Sequence, residues 1–73
     1  MNSLLYNALV AKYESDKATA FATLEIYFKN SVGIGEHPQQ VEEMDAMVDL
    51  LATAEDKLAA LKDNFNAAGE YKY

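Results

Sequence analysis

Apolar residues recur along two segments of the chain at alternating spacings of three and four, the period of one face of an α-helix. In the first segment, from about residue 3 to residue 30, the row is Tyr6, Val10, Tyr13, Lys17, Ala20, Leu24 and Tyr27. In the second segment, from about residue 38 to residue 66, the row is Met44, Met47, Leu51, Ala54, Leu58, Leu61 and Phe65. The pattern predicts two amphipathic helices of similar length, with Lys17 as a polar interruption of the first row.

Local signals agree with these two segments. Asn2 or Ser3 can cap the first helix, because each offers a side-chain oxygen to the first free backbone N–H groups. Gly33 and Gly35 break the helical pattern, and Pro38 suits the first turn of a new helix, where its missing N–H is not needed. We therefore expect a turn at residues 31–37 between the two helices.

The turn is the most distinctive local sequence. Ile34 is apolar between two glycines and is expected to fold back over the open end of the hairpin. Glu36 or His37 is the expected cap of the second helix, since a residue before proline is pushed out of the α region. The preferred interpretation is a helix-reversing turn; the alternative is a loop that binds a ligand or partner through Glu36 and His37.

Two helices of about 28 residues joined by a short connection pack as antiparallel neighbours. The predicted fold is all-α: a two-helix antiparallel hairpin with a coiled-coil-like seam, formed by residues 1–66 as one domain. Residues 67–73 contain the breaker Gly69 and no apolar row, so they are predicted to be a frayed tail.

A second set of large apolar residues does not fit on the seam. These residues are Leu5, Leu9, Phe21, Phe28, Val41 and Val48. A single hairpin leaves them uncovered, whereas two hairpins packed face to face form a four-helix bundle that buries them. We therefore expect a homodimer, or a different partner protein in the same place. Together with Ile34, Glu36 and His37, these six residues form the candidate interaction surface.

Composition removes several classes of function. The chain has no cysteine and one histidine, which excludes disulfides, thiolate metal sites and multi-histidine sites within one chain. Its formal charge is −6 and arginine is absent, so nucleic acid and anionic membranes are not expected partners. No nucleophile, acid–base pair or phosphate loop is evident. We therefore predict no enzyme activity, no cofactor, no metal and no small-molecule substrate.

The start of the chain does not have the pattern of a signal peptide, and no apolar run has the length of a membrane span. The expected compartment is the cytoplasm.

The outer face of the second helix is acidic at helical period. Its carboxylates are Glu42, Asp45, Asp49, Asp56 and Asp63. The preferred interpretation is a solvated face. The alternative is an acidic inhibitor that imitates DNA and occupies a basic host protein, although Lys57 and Lys62 interrupt the row. The preferred function is that of a small helical protein-interaction or structural protein.

Three stretches of the chain carry a resemblance to a known group of proteins. They are LVAKYE at 9–14, ATLEIYF at 22–28 and VGIGEHPQQVEEMDAMVDLLATAEDKLAAL at 32–61. The sequence resembles short uncharacterised proteins encoded by tailed bacteriophages, especially those of marine cyanobacteria. The resemblance covers about residues 6–61, with 32–38 as its most specific part. It implies a phage product made in a bacterial cytoplasm, and it implies no activity and no site residues.

Overall fold

Two long helices account for most of the chain. The computed structural model describes residues 2–29 and 39–73. Helix α1 spans Leu4–Lys29 and helix α2 spans Gln39–Asn64. The helices pack against each other along their length, and the molecule measures 52 Å along its longest axis. The predicted all-α hairpin is confirmed, while the turn at 31–37, with Ile34, Glu36 and His37, lies outside the described residues.

The beginning of α1 is capped by a side chain. The Oγ atom of Ser3 accepts a hydrogen bond from the backbone N–H of Tyr6 at 3.2 Å. The backbone carbonyl of Ser3 accepts from the N–H of Asn7 at 3.1 Å. This geometry is that of an N-cap residue, so Ser3 is the cap among the two candidates that the sequence offered.

The two predicted apolar rows form the interface between the helices. Ala20 and Leu24 of α1, and Ala54 and Leu58 of α2, are the buried members of these rows. Every other member of the two rows is half-buried, and Lys17 is among them. The alternation of three and four therefore marks the seam correctly along both helices.

The core of the hairpin is thin. Its buried residues are two alanines and two leucines, and no large side chain in the described part of the chain is fully buried. The accessible surface is 5340 Å², whereas a compact monomer of this size exposes roughly 4,500 Å². The excess reflects the elongated shape of the molecule, which measures 52 × 18 × 14 Å. A two-helix hairpin has no third layer that would cover this surface.

The segment after α2 is folded back rather than frayed. The Oδ1 atom of Asn66 accepts hydrogen bonds from the backbone N–H groups of Ala68 and Glu70 at 3.1 and 2.9 Å. The carbonyl of Asn66 accepts from the N–H of Gly69 at 2.8 Å. Gly69 has a φ of +80°, a conformation that glycine adopts without strain. Asn66 thus organises a tight turn, a role that Asn side chains perform through their own following backbone.

The returning tail caps α2. The backbone N–H of Lys72 donates to the carbonyl of Asn64 at 2.9 Å, and its Nζ atom donates to the carbonyl of Lys62 at 2.7 Å. The hydroxyl of Tyr73 donates to the carbonyl of Asp63 at 3.3 Å. Carbonyls in the last turn of a helix have no partner within the helix. Here the tail supplies donors to them, and this is the physical reason that the frayed-tail prediction differs from the structure.

Among the described residues, neither helix combines the length and the apolar character that crossing a lipid bilayer requires.

Candidate functional site: an exposed apolar strip

Two side-chain contacts define how the helices face each other. The ammonium of Lys57 lies 5.6 Å from the centre of the Tyr13 ring, within the range of a cation–π interaction. The hydroxyl of Tyr27 donates a hydrogen bond to the carboxylate of Glu43. Tyr13 and Tyr27 are separated on α1 by the same number of residues as Glu43 and Lys57 are on α2. This constant register is that of two straight antiparallel helices.

The same contacts mark one flank of the hairpin. With the seam positions named a and d, Glu43 and Lys57 both occupy position g. In an antiparallel pair, the g positions of both helices lie on one flank and the e positions lie on the other, because the chain direction is reversed. The flank with the Tyr13–Lys57 and Tyr27–Glu43 contacts is therefore the g flank.

Four of the predicted interaction residues share the opposite flank. Phe21 and Phe28 are e positions of α1, and Val41 and Val48 are e positions of α2. The register places Phe28 beside Val41 and Phe21 beside Val48, in the half of the hairpin near residues 29 and 39. We call these four residues the strip. Their exposed fractions are 51% for Phe21, 69% for Phe28, 61% for Val41 and 50% for Val48.

Leu5 and Leu9 do not belong to the strip. They lie toward the g flank at the other end of the hairpin, where they border a shallow pocket of about 280 Å³ with Leu61, Phe65 and Gly69. Leu5 is far more exposed than Leu9. The six apolar residues that were predicted to form one surface are thus divided between two separate places.

Carboxylates border the strip on the side of α2. All three carboxylates, Glu42, Asp45 and Asp49, are exposed. Asp45 lies in the row next to the two valines, and Glu42 and Asp49 lie in the row after it. We call these three residues the acidic rim. The acidic periodicity of α2 by itself predicts a solvated face and does not connect these carboxylates with the valines. The available signal was the spacing of Asp45, which lies four residues after Val41 and three before Val48.

The border on the side of α1 is different. The carboxylate of α1 that lies next to the two phenylalanines is that of Glu25. The ammonium of Lys29 lies 2.7 Å from the Glu25 carboxylate. The residues beside them toward the middle of α1 are Ala18 and Ala22. The surroundings of the strip are therefore acidic along α2 and close to neutral along α1.

The acidic row of α2 extends well beyond the strip. Glu42, Asp49, Asp56 and Asp63 occupy the heptad position that points directly away from the seam, and all four are exposed. Successive members are about 10 Å apart along the helix. Duplex DNA carries about one negative charge per 1.7 Å of its axis. The spacing is typical of a solvated helix face and gives little support to imitation of DNA.

Among the described residues, one titratable group has a clearly shifted pKa. The hydrogen bond to Glu43 is the main reason that the pKa of Tyr27 is raised above its ordinary value of 10.0. Loss of hydration and the negative charge of Glu43 act in the same direction, since each disfavours the phenolate. The raised pKa keeps the Tyr27 hydroxyl protonated. The hydroxyl can therefore donate to Glu43 and join the two helices on the g flank.

Within residues 2–29 and 39–73, no three histidine or carboxylate side chains come together in an arrangement suited to a metal ion.

Comparison with known proteins adds no assignment. No family model matches the chain, no curated protein matches it, and no solved structure matches it.

Proposed function

We propose that this chain is a non-catalytic protein-interaction hairpin whose binding surface is the strip. The observation that supports this proposal is the alignment of four large apolar side chains, each half or more exposed, on one flank. Single exposed apolar residues are ordinary on protein surfaces. A continuous apolar patch is typical of an interaction site.

A partner on the strip would gain energy from both helices. Full burial of a valine or phenylalanine side chain contributes roughly 1.5–3 kcal/mol, and about half of each strip side chain is still exposed. The partner would also stabilise the hairpin, because binding to the folded state shifts the folding equilibrium. This second effect is valuable to a hairpin with such a thin core.

Two kinds of partner fit this function. A second copy on the strip would give the four-helix bundle expected from the sequence, and a different protein would give a mixed complex. Light scattering on a size-exclusion column, over a range of concentrations, separates the two because a dimer has twice the monomer mass.

The proposal is tested by placing a photo-crosslinking amino acid at residue 28 in the cell that makes the protein. Ile26 is the matched control, since it lies on the same helix, is 60% exposed and points away from the strip. We expect a discrete protein adduct from residue 28 and none from residue 26. No adduct from residue 28, or the same adducts from both residues, would show that the strip is not a binding surface.

A further inference from the structure

We propose that the occupant of the strip is a basic amphipathic helix of a partner protein, with its lysine or arginine side facing α2. The inference rests on the proposed function and adds the chemistry and the orientation of the partner.

The shape of the strip matches one face of a helix. Phe28 with Val41, and Phe21 with Val48, form two aromatic–aliphatic pairs that are about 10 Å apart, or two helical turns. A helix lying along the hairpin presents its residues i and i+7 at this spacing, with i+3 and i+4 between them. These are the positions through which amphipathic helices bind apolar grooves.

Charge distinguishes the partner from an apolar helix of any kind. The acidic rim carries three carboxylates along α2, and no lysine of the described residues forms an ion pair with them. On the side of α1, Glu25 is already paired with Lys29. A partner helix gains from cationic side chains on its α2 side, whereas its α1 side lies over the uncharged Ala18 and Ala22. Complementary charge of this kind selects partners and orients them.

The same charge disfavours a second copy of this chain. Each copy has a formal charge of −6, so two copies repel each other as they approach. A copy brings no arginine, and the e positions that directly follow the strip toward the tail are Glu14 and Glu55. The negative potential that repels a second copy attracts a basic helix.

Three synthetic helical peptides of about 18 residues test the partner's chemistry. The first has leucines at i, i+3, i+4 and i+7 with lysines beside them; the second has the same composition with the leucines scattered. The third keeps the leucine positions and replaces each lysine with glutamate. In fluorescence anisotropy at about 0.15 M salt, we expect the first peptide to bind at least about tenfold more tightly than either control.

Paired variants locate the contact with the first peptide. Phe28→Ser is expected to weaken binding about tenfold, as truncation of an aromatic anchor does, while Ile26→Ser leaves it unchanged. Asp45→Lys is expected to weaken binding several-fold. Asp56→Lys changes the net charge equally but lies about 16 Å along α2 from Asp45, beyond the roughly 8 Å screening length, so its effect is smaller. Circular dichroism confirms that each variant keeps its helicity.

The outcomes separate the two proposals. If Phe28→Ser weakens binding but the glutamate peptide binds as well as the lysine peptide, the basic partner is wrong and the proposed function stands. Equal binding of the scattered peptide means that net charge alone attracts it, and this also overturns the basic helix. Unchanged binding by Phe28→Ser overturns both proposals. A stable dimer that Phe28→Ser converts to a monomer identifies a second copy as the occupant and overturns the basic helix.

Discussion

The backbone N–H of Ser3 donates a hydrogen bond to the carbonyl of Ala67 at 3.0 Å, which joins the beginning of α1 to the segment after α2. Ser3 is also the N-cap of α1. The rings of Phe65 and Tyr71 lie beside this junction with their centres 5.7 Å apart, in an edge-to-face arrangement. One end of the hairpin is therefore closed by a small structured unit that ties both chain ends to the helices.

Gly69→Ala is predicted to destabilise the hairpin by about 1–2 kcal/mol. The positive φ of Gly69 is costly for a residue with a Cβ atom. A Cβ atom there would also lie 3.3 Å from the Cβ and Oγ atoms of Ser3. The measurement is urea unfolding followed by circular dichroism. An unchanged midpoint would show that the tail turn contributes nothing to stability.

Leu58→Ala is predicted to cost about 2–3 kcal/mol, because Leu58 is one of the two large buried side chains of the seam and its removal leaves a cavity. Leu5→Ala is the control. The Leu5 side chain is 80% exposed, so this substitution is expected to change stability by less than about 0.5 kcal/mol. Urea midpoints of the two variants give the comparison, and similar losses would contradict the assigned seam.

Lys17→Met is predicted to stabilise the hairpin by about 1 kcal/mol. Lys17 occupies a half-buried seam position, where an unbranched apolar side chain can bury its end instead of extending it to water. Lys12→Met is the control, since Lys12 is exposed and paired with Asp16 at 3.2 Å. Thermal unfolding should show a higher midpoint for Lys17→Met alone. A lower midpoint would mean that the Lys17 ammonium has a favourable partner.

The contact between Tyr27 and Glu43 is predicted to lose its contribution at high pH. The raised pKa means that the folded state holds the phenolic proton more tightly than the unfolded chain does. The contribution is complete below pH 10, the ordinary pKa, and declines as the pH rises through the higher folded value. The difference in unfolding free energy between the natural protein and Tyr27→Phe should therefore be constant between neutral pH and pH 10 and shrink above pH 10.

An ultraviolet titration provides the matched observation for Tyr27. The difference in absorbance between the natural protein and Tyr27→Phe should show a phenol that ionises above pH 10. Glu43→Gln should bring the pKa of Tyr27 closer to its ordinary value. A Tyr27 pKa that does not respond to Glu43→Gln would contradict the hydrogen bond as the main cause of the shift.

Much of the candidate site was visible in the sequence, but its grouping was not. Phe21, Phe28, Val41 and Val48 were recognised as apolar residues beside the seam. Leu5 and Leu9 were placed with them because they share apolar character, although their heptad positions lie on the opposite side of the seam. Ile34, Glu36 and His37 lie outside the described residues, so their part in the interaction surface stays a prediction.

The sequence by itself determined the two helices and the seam, and it limited the cap of α1 to Asn2 or Ser3. Helix periodicity and capping depend on residues within a few positions of each other, and this chain repeats those local signals consistently. Only the tertiary structure decided the folded tail and the location of the strip. Besides the local turn at Asn66, the tail is held by the hydrogen bond between Ser3 and Ala67, which are close in space because α2 returns beside α1. The strip depends on the antiparallel register, which aligns side chains from two helices on one flank. A local sequence pattern does not show which residues of the other helix lie beside it.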